Sequence, residues 1–286
     1  MYKFPIGVIL DSFRCERSEA IKKAAALGAD GIQMYATKGA NSAENLTATD
    51  RRELLKEVKD NGLVFSALCG DLGQGLFRPE RNPELIERSK RIIDLAKDLE
   101  TNVVTTHIGV VPEDPNHDRY KIMQEACFEL SRYADSLNAH FAIETGPERA
   151  ATLKNFLDGL GSKGVAVNFD PANLIMGFEC DPAEEARILK DYIVHTHAKD
   201  GIMLKQIPAE IEYGIITPKP AEYMNVDDFY RELPLGEGVV DFKSYLKALE
   251  EIGYKGFLTI EREVGEEPHK DIKKAFDFLN TIIKEN

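Results

Sequence analysis

Apolar and polar positions alternate along this chain on two length scales. Short apolar or β-branched runs recur at Ile6–Leu10, Gly31–Met34, Val64–Leu68, Val103–His107, Phe141–Glu144, Val165–Phe169, Tyr192–His197 and Phe257–Glu261. Such short, nearly continuous apolar runs predict buried parallel strands. Between them lie longer, charge-rich stretches: Ser18–Leu27, Asp50–Asn61, Pro83–Leu99, Tyr120–Leu137, Ala151–Leu160, Pro182–Lys190, Asp241–Ile252 and Asp271–Ile283. There apolar residues return every three or four positions, as in Phe242, Tyr245, Leu246 and Leu249, which predicts amphipathic helices. Gly28, Gly62 and Gly253 stand where helices stop, as left-handed C-cap positions prefer. Strand and helix alternating eight times predict an α/β fold, a (β/α)8 TIM barrel forming one domain over 1–286. An open doubly wound sheet fits less well, since no Gly-x-Gly-x-x-Gly follows a strand.

One segment breaks the alternation. Between Asp200 and Gly236 there is little helical or strand period, yet Tyr213, Pro218, Pro220, Tyr223, Phe229 and Tyr230 fall there. A long excursion rich in aromatics is expected to be ordered and functional. Residues 201–236 therefore read as an insertion after the seventh strand, a lid or an oligomer contact at the substrate pocket.

Composition narrows the function. Lys plus Arg number 36 against 49 Asp plus Glu, a net charge of -13, which repels nucleic acid and anionic membranes. No apolar run is long enough for a transmembrane helix, and the N-terminal run reads as a strand rather than a signal peptide. Cys15, Cys69, Cys127 and Cys180 form no Cys-x-x-Cys pair, which argues against a disulfide framework or thiolate zinc site and for reduced cytoplasmic thiols.

In a barrel, chemistry belongs at the C-terminal ends of the strands. Strands five to eight finish in Glu144, Asp170, His197 and Glu261, four residues able to bind a metal. Three carboxylates and an imidazole brought together need a counter-charge. A divalent cation supplies it, and mostly oxygen donors with one nitrogen suit Mn²⁺, Mg²⁺ or Co²⁺ and admit Zn²⁺.

These residues carry a resemblance. Tyr192-Ile-Val-His-Thr-His-Ala-Lys-Asp200, with Ile143-Glu144, Asp170-Pro-Ala-Asn173, Thr259-Ile-Glu261 and Leu235-Gly-Glu-Gly-Val-Val-Asp241, resembles the xylose-isomerase-like TIM barrels, whose members include sugar-phosphate isomerases and epimerases, ketose 3-epimerases and inosose dehydratases. The resemblance spans essentially the whole chain. It implies one divalent metal held by Glu144, Asp170, His197 and Glu261, with Glu144 and Glu261 also moving the proton. The implied reaction is isomerisation or epimerisation of a sugar or sugar phosphate through an enediolate, the alternative being dehydration of an inosose on the same site. Related enzymes are often dimers or tetramers, so a homo-oligomer is in keeping with it.

The departures are specific. Where ketose 3-epimerases carry a His after the strand-six Asp, a Glu after the strand-five Glu and an Arg after the strand-seven His, this chain has Asn173, Ala150 and Met203. Asn173 can still bond a sugar hydroxyl, and Glu148 or Arg149 can stand in from one side. His107, at the end of strand four, and Lys199 are the other expected substrate contacts. His195 reads as a layer below His197, Glu263 as support for Glu261, and Asp11, Ser12, Gln33 and Tyr35 as the opposite wall. His117, His140 and His269 receive no function. Thr106-His107-Ile-Gly and Glu144-Thr-Gly are similar to endonuclease IV, but that nuclease needs many histidines and a grip on DNA, and this chain has 6 histidines and an acidic surface. A non-catalytic sugar-binding barrel is set against the intact ligand set.

Overall fold

The computed structural model describes residues 4–212, 214–215 and 225–285. Ten strands occur among them: β1 Ile6–Ile9, β2 Gly31–Tyr35, β3 Val64–Cys69, β4 Val103–Thr106, β5 His140–Glu144, β6 Val165–Phe169, β7 Ile193–Ala198, β8 Asp200–Met203, β9 Tyr230–Leu233 and β10 Leu258–Ile260. The helices are α1 Arg17–Leu27, α2 Ala48–Asp60, α3 Asn82–Asp98, α4 Asp118–Ser136, α5 Ala150–Asp158, α6 Pro171–Gly177, α7 Pro182–Ile188, α8 Ala209–Glu212, α9 Phe242–Glu251 and α10 Pro268–Glu285. Eight strands close a parallel barrel in the order β1-β10-β7-β6-β5-β4-β3-β2, as the alternation predicts. Most of their residues are buried on both faces, since one face packs into the lumen and the other against the helical ring. Gly28, Gly62 and Gly253 do adopt positive φ at the helix ends. Among the described residues no helix is long and apolar enough to cross a membrane.

Two elements were not expected. The short helix α6 follows β6 because Asp170 caps it, Oδ1 accepting from the N–H groups of Ala172 and Asn173, and Pro171 starts it. The aperiodic excursion contains an antiparallel hairpin, β8 with β9, pairing Asp200 with Leu233 and Met203 with Tyr230. Tyr213, Pro218, Pro220 and Tyr223 lie outside the described residues.

The hairpin base is fixed to the barrel mouth. The buried Asp200 carboxylate accepts from the backbone N–H groups of Gly201, Gly236, Gly238 and Val240, which gives the Leu235-Gly-Glu-Gly segment a structural purpose. A Cβ on Gly238 would stand 2.0 Å from Asp200 Oδ1, so only glycine lets that loop reach the carboxylate. On the other strand, Glu232 pairs with Arg262 at 2.6 Å, and Arg262 reaches Asp271 of α10 at 2.8 Å.

Candidate metal centre and substrate cavity

β5, β6, β7 and β10 are consecutive staves of the barrel, so their C-terminal ends meet at one side of the mouth. Glu144 closes β5, Asp170 follows β6, His197 is the second-last residue of β7 and Glu261 follows β10. All four are buried, and one donor atom from each lies within 4.8 Å of the others. His197 Nδ1 is 3.2 Å from Glu261, 3.5 Å from Glu144 and 3.6 Å from Asp170.

The decisive atom is Asp170 Oδ2. Oδ1 is spent on capping α6, whereas Oδ2 is buried without a hydrogen-bond partner and faces His197. A buried carboxylate oxygen left unpaired is costly, and a cation at this point would satisfy it. The donor set of three carboxylates and one imidazole therefore fits a divalent metal.

Charge within the cluster is balanced tightly. Burial works against the Glu144 charge, but His197 and His107 outweigh it and hold the carboxyl below the ordinary glutamate range. Glu261 is likewise buried, and Lys199 and His197 depress it further. Burial disfavours the His197 imidazolium, yet Glu261 and Glu144 raise it well above the usual histidine value. Its proton supplies positive charge that a cation would replace.

Buried polar groups behind the ligands set their orientation. Gln33 Oε1 faces His195 Nε2 at 3.0 Å and His197 Nε2 at 3.2 Å, while its amide donates to Thr105 Oγ1 at 3.1 Å. Held by Nε2, His197 turns Nδ1 to the carboxylates. His195 thus lies one layer deeper, kept neutral by burial and by His197. Asn173 Nδ2 donates to Glu144 Oε1 at 2.8 Å and Asn168 Nδ2 to Oε2 at 3.2 Å, which leaves Glu144 firmly held.

A cavity of about 770 Å³ opens above the cluster. Gln33, Tyr35, His107, Asn173 and Lys199 line it, as the strand-end reasoning expects. Lys199 is committed to two carboxylates, Glu261 at 3.1 Å and Glu263 at 2.5 Å. His107 is held between Asp71 (3.2 Å) and Glu144 (3.9 Å); burial lowers its proton affinity, but those carboxylates push its pKa up to about 9.

Glu148 does not join this group. It is absent from the cavity wall, and its Oε2 accepts from Val111 N at 3.0 Å, clasping the loops after β4 and β5 together. Its residue spacing put it near the site, but the backbone turn before α5 directs it sideways. Asp11 and Ser12 line a separate cavity of about 270 Å³. His117 caps α4 and His140 bonds Lys163 O, both away from the site. Strand-end reasoning missed Asp71, Glu212, Glu232 and Arg262, all on the cavity wall. Asp71 sits on a loop, Glu212 on the short helix α8 and Glu232 on the hairpin, where no period points to them; Arg262 alone was within reach, one residue beyond Glu261.

A family model described as a xylose isomerase-like TIM barrel matches residues 21–282. The chain belongs to that family. This xylose isomerase-like barrel is similar to a xylose isomerase domain protein from Planctomyces limnophilus, at 26% identity and TM-score 0.79, covering 99% of this chain and 98% of the other. It is also similar to a 3-keto-D-glucoside 4-epimerase from E. coli, at 16% identity and TM-score 0.72, covering 98% and 100%. A probable 3-DHS dehydratase from Bacillus anthracis follows at 18% identity and TM-score 0.70, covering 96% and 98%. The last two likenesses are of fold; an epimerase and a dehydratase share this barrel.

Proposed function

We propose that the protein is a divalent-metal-dependent sugar or sugar-phosphate isomerase or epimerase, with Glu144, Asp170, His197 and Glu261 as metal ligands. The unpaired Asp170 Oδ2 inside a ring of three other donors is the observation that carries this reading. A bound divalent cation would stabilise negative charge developing on substrate oxygens and so acidify the neighbouring C–H. Glu144 and Glu261, from staves three apart, flank that position; one takes the proton, and the same or the opposing carboxyl returns it. Both are charged and ready to accept a proton, and Lys199 holds Glu261 in place. Asn173 and His107 meet substrate hydroxyls. The hairpin with α8 covers the cavity, and the four free cysteines support a reducing, cytoplasmic setting.

Dehydration of an inosose-like ketone is the second reading, and Glu212 favours it. This hairpin-side residue lines the cavity, and burial pushes its carboxyl up to about 7. A carboxyl still protonated near neutrality is suited to protonating departing hydroxide, the step that elimination adds.

Elemental analysis of the purified protein should find about one Mn, Mg, Co or Zn per chain, lost in the Glu144→Gln, Glu261→Gln double variant. Substrate screened in D₂O over ketoses, their phosphates and inososes should exchange one carbon-bound proton, visible by NMR before any product is named. No metal after incubation with excess Mn²⁺, and no exchange, would refute the reading.

A further inference from the structure

A second cleft of about 230 Å³ opens between the loops after β3 and β4. It meets the main cavity at Asp71 and His107, which line both. His107 stands between Glu144 on one nitrogen and Asp71 on the other, so the cleft begins one imidazole ring beyond a metal ligand. Its walls are shaped by close approach. A Cβ on Gly75 would lie 2.4 Å from the Phe77 ring and one on Gly109 2.9 Å from it, so both positions are kept bare for that ring. The Arg78 guanidinium stacks 4.7 Å from the Phe77 centroid, and among the described residues it has no carboxylate partner.

Size and chemistry select the occupant. The volume equals that of about seven to eight waters at roughly 30 Å³ each, which suits a hydroxylated six-membered ring and leaves a lone phosphate loose. Gln74 and Arg78 offer forked donors and an acceptor beside the apolar edge of Phe77, a lining matched to vicinal hydroxyls on a ring with apolar C–H faces. Asp71 and His107 face each other at 3.2 Å where the cleft meets the main cavity, and the Arg78 guanidinium also lines it.

We infer that the substrate is a glycoside, its reacting sugar at the carboxylate–histidine cluster and a second glycosyl ring in the cleft walled by Gln74, Phe77 and Arg78. This rests on the sugar-processing reading above and deepens it, because a free monosaccharide would leave the cleft empty.

Isothermal titration of the Mn²⁺-supplied protein with D-fructose, with the disaccharides lactulose, maltulose and palatinose, and with D-fructose 6-phosphate tests it. At least one disaccharide should bind about tenfold or more tighter than fructose. The Gln74→Ala, Arg78→Ala double variant should erase that advantage, and circular dichroism should show it folded, since Arg78 is exposed and Gln74 half-buried. Disaccharides binding no tighter than fructose, or an advantage that survives the double variant, would overturn the inference and leave the sugar-processing reading standing. Tightest binding by the phosphate ester, lost with Arg78, would overturn it in favour of an anion site. Mn²⁺ binding with no carbohydrate bound would remove both.

Discussion

Asp200→Asn probes what holds the hairpin over the cavity. Oδ1 accepts from Gly201 N at 2.9 Å and Val240 N at 3.1 Å, and Oδ2 from Gly236 N and Gly238 N at 3.0 Å each. An amide keeps one oxygen and turns an NH₂ group on the other two donors, so two bonds are lost. Hydrogen bonds to a charged group are worth about 1.5–3 kcal/mol each, a gross loss of about 3–6 kcal/mol. Burial lifts the Asp200 carboxyl above the ordinary aspartate range even though four N–H groups pull it back. The neutral amide escapes that burial penalty, so the net loss should be about 2–4 kcal/mol. The damage should be local. Gly236 is exposed and Gly238 half-buried, so the freed amides reach water once the hairpin base opens. By mass-spectrometric hydrogen exchange, amides at 200–203 and 230–240 should exchange about 30- to 1000-fold faster, at about 1.4 kcal/mol per decade. Amides of β4 and β5 should keep their wild-type rates. Unchanged protection of 230–240 in the variant would refute the account.

Three further outcomes follow from the site. Divalent metal at a hundred times its dissociation constant should stabilise the fold by about 2.7 kcal/mol, raising Tm by about 4–5 °C; Asp170→Asn, which keeps the α6 cap and loses the Oδ2 charge, should abolish the rise in a thermal melt. Gln33→Leu should weaken metal binding by about 10- to 100-fold in a chelator competition, because His197 loses the partner that aims Nδ1, and an unchanged constant would show that the ring needs no such guide. Glu148 is pushed by burial from 4.5 up to about 8, so between those pH values the folded chain holds a proton that the unfolded chain releases. Its contribution is complete below about pH 4.5 and is lost as pH rises to about 8, a change of at most a few kcal/mol at about 1.4 kcal/mol per pH unit. Urea melts at pH 5, 7 and 9 should show that slope, and Glu148→Gln should flatten it.

The barrel was legible because parallel strands buried on both faces write themselves as apolar runs, and the candidate ligands were legible because each of four neighbouring runs closes on a residue able to bind a metal. Position along a strand also separated His197 from His195, two residues apart on one face but in different layers. The hairpin escaped notice for the opposite reason. Asp200–Met203 and Tyr230–Leu233 are short, mixed in polarity and distant in sequence, and they pair antiparallel at the mouth instead of packing into a core. Glu148 shows the limit of spacing as a guide, since a glutamate four residues past Glu144 lies beyond the strand, where the loop decides its direction. Glu212 and Asp71 enter the cavity only through tertiary placement.

β7 and β10 pair with each other directly, Thr259 beside His197, so the chain from Lys199 to Phe257 leaves and re-enters the barrel at a single seam. No barrel ladder bond depends on what lies between. In evolutionary terms the hairpin is a cassette: it can be lengthened, shortened or exchanged while the four clustered residues keep their places, provided a partner for Arg262 travels with it. One wall of the cavity can therefore be rebuilt without disturbing the barrel beneath it.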